Sequence, residues 1–170
     1  MPEYDSLEEI AKEAALRIEG NSVLDVGTGF GAVVDQVLTT TGCSLVSIDP
    51  EAWTFSELED KYETEIATGR LKLLRENIDD PPFEDNEFDS TISISSMHHL
   101  ASPEQGLRNM ERVTSRRLIV ADWNRNSAGM SNPHSPEDLE RSESVVKQYF
   151  RENSYHTIEN EYWFIGWKDF

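Results

Sequence analysis

One cysteine, Cys43, is all the thiol this sequence contains. That excludes an intramolecular disulfide and a thiolate metal cluster. No apolar run approaches the roughly 18–20 residues of a membrane span. The opening residues, Met1-Pro2-Glu3-Tyr4-Asp5, lack the basic and apolar regions of a secretory leader, so a cytoplasmic protein is expected. Basic residues are scarce as well: 15 Lys+Arg stand against 33 Asp+Glu, for a formal net charge of −18. A chain this acidic repels phosphate backbones and anionic lipid surfaces, which argues against nucleic acid and membrane partners. It leaves room for a basic protein partner or a cationic small molecule, and it also suits a salt-rich cytoplasm. The scarcity is most marked from Ile18 to Asp60, where there is no Lys or Arg at all. That stretch carries Glu19, Asp25, Asp35, Asp49, Glu51, Glu57, Glu59 and Asp60.

The length predicts one domain over 1–170. It divides into an N-terminal helix (1–20), a core (21–123) and a final loop, helix and hairpin (124–170). Ser6-Leu7-Glu8-Glu9 reads as a capping box opening a helix to about Ile18. Apolar runs at Val23–Val26, Ser44–Ile48, Leu71–Leu74, Phe88–Ser95 and Arg117–Ala121 read as strands. Helical patterns fall between them at Ala32–Thr40, Ala52–Ala67 and after Ser102-Pro103. Ser135-Pro136 caps a last helix to about Glu152, and Tyr155–Lys168 reads as an antiparallel hairpin. This alternation predicts an α/β fold: a Rossmann-like, seven-stranded, mostly parallel sheet with helices on both faces and a C-terminal antiparallel hairpin.

The segment Val23-Leu24-Asp25-Val26-Gly27-Thr28-Gly29-Phe30-Gly31 runs a strand into three alternating glycines and then a helix. Such a loop lets the backbone pass close to a ligand at the carboxyl edge of the sheet. Gly27-x-Gly29-x-x-Ala32 satisfies the dinucleotide fingerprint, with Asp49 about 20 residues on for a ribose. Asp25-x-Gly27-x-Gly29-x-Gly31 equally suits S-adenosylmethionine (SAM). Charge separates the two. A pyrophosphate would lie near Asp25 with no cation in this segment, whereas SAM carries a sulfonium and an ammonium and no phosphate. Asp49 either accepts both ribose hydroxyls or caps the helix after Pro50.

These motifs resemble the class I SAM-dependent methyltransferases, closest to the small-molecule type that includes the ubiquinone/menaquinone-biosynthesis enzymes. The resemblance covers roughly residues 20–123. It implies that the loop of Asp25, Gly27, Thr28, Gly29 and Gly31 contacts the methionine part of SAM. It implies ribose binding by Asp49, beside Pro50. Asn77, where the family usually has Asp, would lie near the adenine amino group, and Ile78 would offer a backbone N–H. Ser95 belongs to the end of the fourth strand, Ser93-Ile94-Ser95-Ser96-Met97-His98-His99-Leu100, which in the family lies beside the methyl group. The implied reaction is in-line methyl transfer to a small molecule or a protein side chain, leaving S-adenosylhomocysteine. Val113-Thr114-Ser115-Arg116-Arg117 replaces the family's usual Lys-Pro-Gly-Gly turn. The substrate elements are few, so a second copy or a partner protein could complete the acceptor site.

His98 and His99 are candidate bases or substrate contacts, because an imidazole accepts a proton near neutral pH. The bland alternative packs His99 under Leu100 and bonds His98 to a backbone carbonyl. Asp122 and Trp123 end the fifth strand, where this fold often meets substrate, and His134 precedes a helix cap. The spacing of the three histidines is not that of a zinc motif, and no metal is expected. Asn-Pro-Pro-Tyr, used by resembling enzymes on base or amide nitrogen, is absent after the fourth strand. An NAD(P)-dependent oxidoreductase and a non-catalytic SAM-binding module are the competing functions. The first requires a cation by the glycine loop.

Overall fold

The computed structural model describes residues 2–128, 134–152 and 156–170. The elements, in order, are α1 (Pro2–Ala15), β1 (Ser22–Val26), α2 (Ala32–Thr40), β2 (Ser44–Ile48), α3 (Phe55–Lys61), α4 (Glu63–Ala67), β3 (Leu71–Leu74) and β4 (Phe88–Ile94). A 3₁₀ turn at Met97–His99 leads to α5 (Pro103–Val113), β5 (Thr114–Trp123), a second 3₁₀ turn at Arg125–Ser127, α6 (Pro136–Glu152), β6 (His156–Glu159) and β7 (Trp163–Asp169). The seven strands form one sheet in the order β3-β2-β1-β4-β5-β7-β6. Strands β1 to β5 pair in parallel, and β7 runs antiparallel to both β5 and β6.

The sheet separates two apolar layers. Ile10 and Ala14 of α1, Val33, Val34 and Val37 of α2, and Leu58 of α3 pack against Val23 and Leu45 on one face. Leu107 and Met110 of α5, with Val146 and Phe150 of α6, pack against Leu24, Val26 and Val120 on the other. Successive β1 side chains alternate between the layers, as strand geometry requires. A parallel sheet covered on both faces reads as continuous apolar runs, which is why the strands were visible in the sequence.

Several boundaries differ from expectation. Helix α1 opens at Pro2 rather than at Ser6, since proline fits a first helical turn. It ends at Ala15, with tighter turns carrying the chain to Ile18 through Ile18 N–H to Ala15 O. The expected 52–67 helix starts only at Phe55, because Ala52 takes a left-handed φ of 52°, and it breaks at Tyr62. The Tyr62 hydroxyl donates to Asp35 of α2 at 2.6 Å, which fixes that break against the neighbouring helix. Strand β5 is longer than expected at both ends. No turn precedes it: α5 passes directly into β5 at Thr114, whose hydroxyl donates to Met110 O at 2.6 Å. The hairpin forms as expected, with Asn160 Oδ1 accepting from the Tyr162 and Trp163 N–H groups at its turn. Tyr155, where the hairpin was expected to begin, lies outside the described residues, as do 129–133 of the loop before α6.

Candidate active site

The carboxyl ends of β1, β2 and β4 open into one cleft of about 830 Å³. This is where strand order reverses around β1, the position at which open α/β sheets leave a crevice. Val26, Gly27, Thr28 and Gly29 form its floor, Asp49 and Pro50 one side, and Asn77 and Ile78 the far end. Ser95, Ser96, His99, Trp123 and His134 form the opposite wall.

The glycine loop is held from below and from the side. Beneath it, Thr28 Oγ1 and Ser47 Oγ lie 2.6 Å apart, and Ser47 donates to Asp25 Oδ2 at 2.6 Å. From the side, Gly29 N–H donates to Asp49 Oδ2 at 3.0 Å. Asp49 Oδ1 accepts from Glu51 N–H at 2.9 Å and Ala52 N–H at 3.3 Å. Those amides belong to a loop, since α3 starts only at Phe55 with Thr54 as its N-cap, so the helix-capping role weighed for Asp49 is not formed, while Asp49 does line the cleft. At Gly29, φ is +49° and a Cβ would meet nothing nearer than 3.9 Å. A side chain there would project into open cleft.

Two residues expected at the cofactor, Asp25 and Gly31, do not line the cleft. Asp25 is fully buried and does not line the cleft. It faces the α1–α2 layer with Ser47, as strand alternation from Val23 dictates. Desolvation raises its pKa to about 8, against the lowering effect of the Ser47 hydrogen bond and with a further rise from Asp49. Its Oδ1 has no hydrogen-bond partner. Gly31 begins α2 and is also off the cleft. A Cβ there would lie 2.8 Å from Leu58 Cδ2, so this glycine lets α3 pack closely. Asn77 lines the cleft, and its Oδ1 accepts from Asp79 N–H at 3.1 Å.

The catalytic candidates form a group. His98 bonds Asp122 Oδ1 through Nδ1 at 2.7 Å, with both side chains wholly inaccessible. A carboxylate, and not the backbone carbonyl of the bland reading, is thus its partner. Asp122 also accepts from His98 N–H at 3.0 Å, Trp123 N–H at 2.8 Å and Ser142 Oγ at 2.9 Å. Four donors thus converge on this one buried carboxyl group. His98 and Asp122 do not reach the cleft, whereas His99 and His134 do. The three rings lie close together: His98 to His99 at 4.2 Å between centroids, His98 to His134 at 4.2 Å, and His99 to His134 at 4.4 Å. The three histidines therefore meet although their sequence spacing is not that of a zinc motif. Chain separation says nothing about distance once β5 returns the chain to the same sheet edge. Burial first, and then the neighbouring His98 and His134, lower the pKa of His99 to about 4 against the raising effect of Asp122 and Asp49.

The sequence reading passed over Phe30 and Trp53. They make an edge-to-face pair at 4.7 Å on the cleft rim, 59% and 58% exposed. The available signal was a large aromatic, Phe30, inside the glycine motif and another, Trp53, shortly after Asp49-Pro50. Among the described residues, no Lys or Arg lines the cleft, while Asp49, Glu51, Glu76 and Asp79 do.

The family described as "Methyltransferase domain" matches residues 24–119, more than half of the chain. The chain belongs to that family. The chain is 30% identical over 142 residues to an O-methyltransferase of Aspergillus nomiae, covering 78% of this chain and 63% of that protein. It is 31% identical over 104 residues to a sterol 24-C-methyltransferase of Pneumocystis carinii, covering 61% of this chain and 27% of that one. The chain thus spans less than two thirds of the length of these curated relatives. A SAM-dependent methyltransferase from Aquifex aeolicus superposes with a TM-score of 0.73 at 21% identity, over 97% of this chain and 92% of that one. That likeness shows a shared fold, and it confirms the Rossmann-like architecture expected from the alternating pattern.

Proposed function

We propose that the cleft binds SAM and that the chain transfers its methyl group to a small-molecule acceptor. The observation carrying this reading is the charge of the cleft: four carboxylates and no Lys or Arg among its described residues. A dinucleotide would bring a pyrophosphate into that field, whereas SAM brings two positive charges and no phosphate. The oxidoreductase alternative needs a cation by the glycine loop, and the described cleft offers none. The room at Gly29 is a further feature that lets a ligand pass close to the loop.

In this reading the glycine loop holds the amino-acid end, with Asp25 as a buried acceptor behind it. Gly31 shapes the loop without touching the ligand. Asp49 keeps one lone pair, on Oδ2, for a ribose hydroxyl beyond the three amides it already accepts. Pro50, Asn77 and Ile78 flank the adenine end, and Ser95 with Thr28 borders the reacting end. When bound, SAM supplies a carbon activated by its sulfonium. The acceptor enters past His99, His134 and Trp123. His99, neutral at physiological pH, receives the acceptor's proton where the acceptor is a hydroxyl. His98 and Asp122 position that wall from behind. The remaining contribution is alignment, which converts an encounter into a near-unimolecular step.

Two relatives methylate, by name, an oxygen and a sterol carbon, which favours a small apolar acceptor, and the exposed Phe30–Trp53 rim suits one. A second copy or a partner protein would close the open acceptor side. No helix among the described residues is long and apolar enough to cross a membrane, and the one cysteine is a free, buried thiol. Both accord with a cytoplasmic setting. Calorimetry of the purified chain with SAM and with NAD tests the proposal. SAM binding is expected, and NAD binding without SAM binding overturns it. Transfer of labelled methyl from SAM to a small-molecule fraction of a cell extract then tests catalysis against a non-catalytic binding role.

A further inference from the structure

We propose that His98, His99 and His134 bind a divalent first-row transition ion, zinc foremost, at the β4 edge of the cleft. Their ligand nitrogens all lie within 4.8 Å of one another, the one such cluster of three among the described residues. Zinc held at about 2.0–2.1 Å by three imidazoles keeps the nitrogens roughly 3.4 Å apart. Small rotations of the two cleft-lining rings close that gap, while His98 stays fixed.

His98 supplies the independent observation. It is 5% exposed, and its Nε2 is buried without a hydrogen-bond partner. Its Nδ1 bonds Asp122 Oδ1 at 2.7 Å, and Asp122 in turn is held by Ser142 and by two backbone amides. A hydrogen on Nδ1 leaves the Nε2 lone pair open. That is the carboxylate–histidine arrangement which fixes the tautomer and orientation of metal-ligating imidazoles. Leaving a buried acceptor unmatched is unfavourable, and an ion at Nε2 removes that cost. The carboxylate of Asp122 behind the triad, and Asp49 across the cleft, both favour a cation. Three imidazole ligands are the donor set of a zinc centre with a fourth position open, and they suit copper, nickel and iron as well.

Binding of the ion is independent of the methyl-transfer reading, although its part in the reaction rests on that reading. A metal-bound imidazole has no lone pair for a proton, so with the ion in place His99 is a ligand and not a base. An acceptor hydroxyl coordinated at the open position then has a lowered pKa and gives up its proton to solvent before transfer.

The test uses the untagged chain, stripped with a chelator and titrated with Co²⁺ and then Zn²⁺, with neither SAM nor acceptor present. One equivalent of Co²⁺ is expected to bind and to show the intense visible absorption of a low-coordinate ion, with Zn²⁺ displacing it. His99→Ala and His134→Ala, at the cleft surface, should each weaken binding at least tenfold, the lower end of what outer-shell changes cost. His156→Ala, the remaining histidine, should leave binding unchanged. Absence of stoichiometric binding, or binding indifferent to His134→Ala, overturns the proposal. Because SAM calorimetry is separate, failure here leaves the methyl-transfer reading standing, and the reverse holds too.

Discussion

Gly29 in the loop after β1 donates its N–H to Asp49 Oδ2 at the end of β2, at 3.0 Å. The bond joins two motifs 20 residues apart, and both its partners line the cleft. One carboxylate therefore shapes the glycine loop and faces the ligand.

Asp49→Ala should weaken SAM binding at least tenfold, as judged by calorimetry. Hydrogen bonds to a charged group contribute about 1.5–3 kcal/mol, and a tenfold loss corresponds to about 1.4 kcal/mol. Unchanged affinity refutes the ribose role.

The two loop glycines should fail differently. Gly29→Val places a branched side chain at positive φ facing the cleft, so SAM binding should vanish while the fold survives, weakened by about 1–2 kcal/mol. Gly27→Ala brings a Cβ to 2.0 Å from Ser96 Oγ at φ +91°, so it should lower the melting temperature even without ligand. Melting curves with and without SAM separate the cases, and equal behaviour of the two variants contradicts the assignment.

Asp25 gives stability a pH dependence. Its folded pKa, about 8, lies above the ordinary value of 3.8, chiefly through desolvation. The folded state therefore binds the proton more tightly. Its contribution is full below pH 3.8 and is lost as pH rises through about 8. Asp25→Asn removes the charge in near-equal volume and should flatten that decline. Each kcal/mol recovered at pH 8 raises the melting temperature by about 2–4 °C in a chain of this size. A melting profile from pH 5 to 9 that is identical in both proteins rejects this account.

The net charge of −18 should make stability rise with ionic strength, because screening weakens self-repulsion in the compact state. Thermal melts from low salt to molar KCl should climb steadily. A flat response assigns the acidity no role in salt adaptation.

Much of the fold was legible because its signals are local. The apolar runs of β1 to β3, the Ser102 cap and the Asn160 turn each occupy a few neighbouring residues. The breaks were not, because they answer to distant partners. Tyr62 interrupts a helical pattern to bond Asp35, and α5 runs into β5 without a turn because Thr114 bonds Met110 as it pairs beside β4. Within the site, the glycine loop and Asp49 were readable from spacing. The burial of Asp25 away from the cleft followed from strand alternation but needed the Ser47 contact to be recognised.

Sequence alone determined the class of fold, the glycine loop and the basic-free stretch from Ile18 to Asp60, because composition and short-range periodicity encode all three. Tertiary structure alone decided that His98, His99 and His134 meet, that Asp122 gathers four donors behind them, and that Phe30 faces Trp53. Those relationships join residues from separate elements. Distance along a chain carries no measure of distance in space until the sheet order brings their ends to one edge.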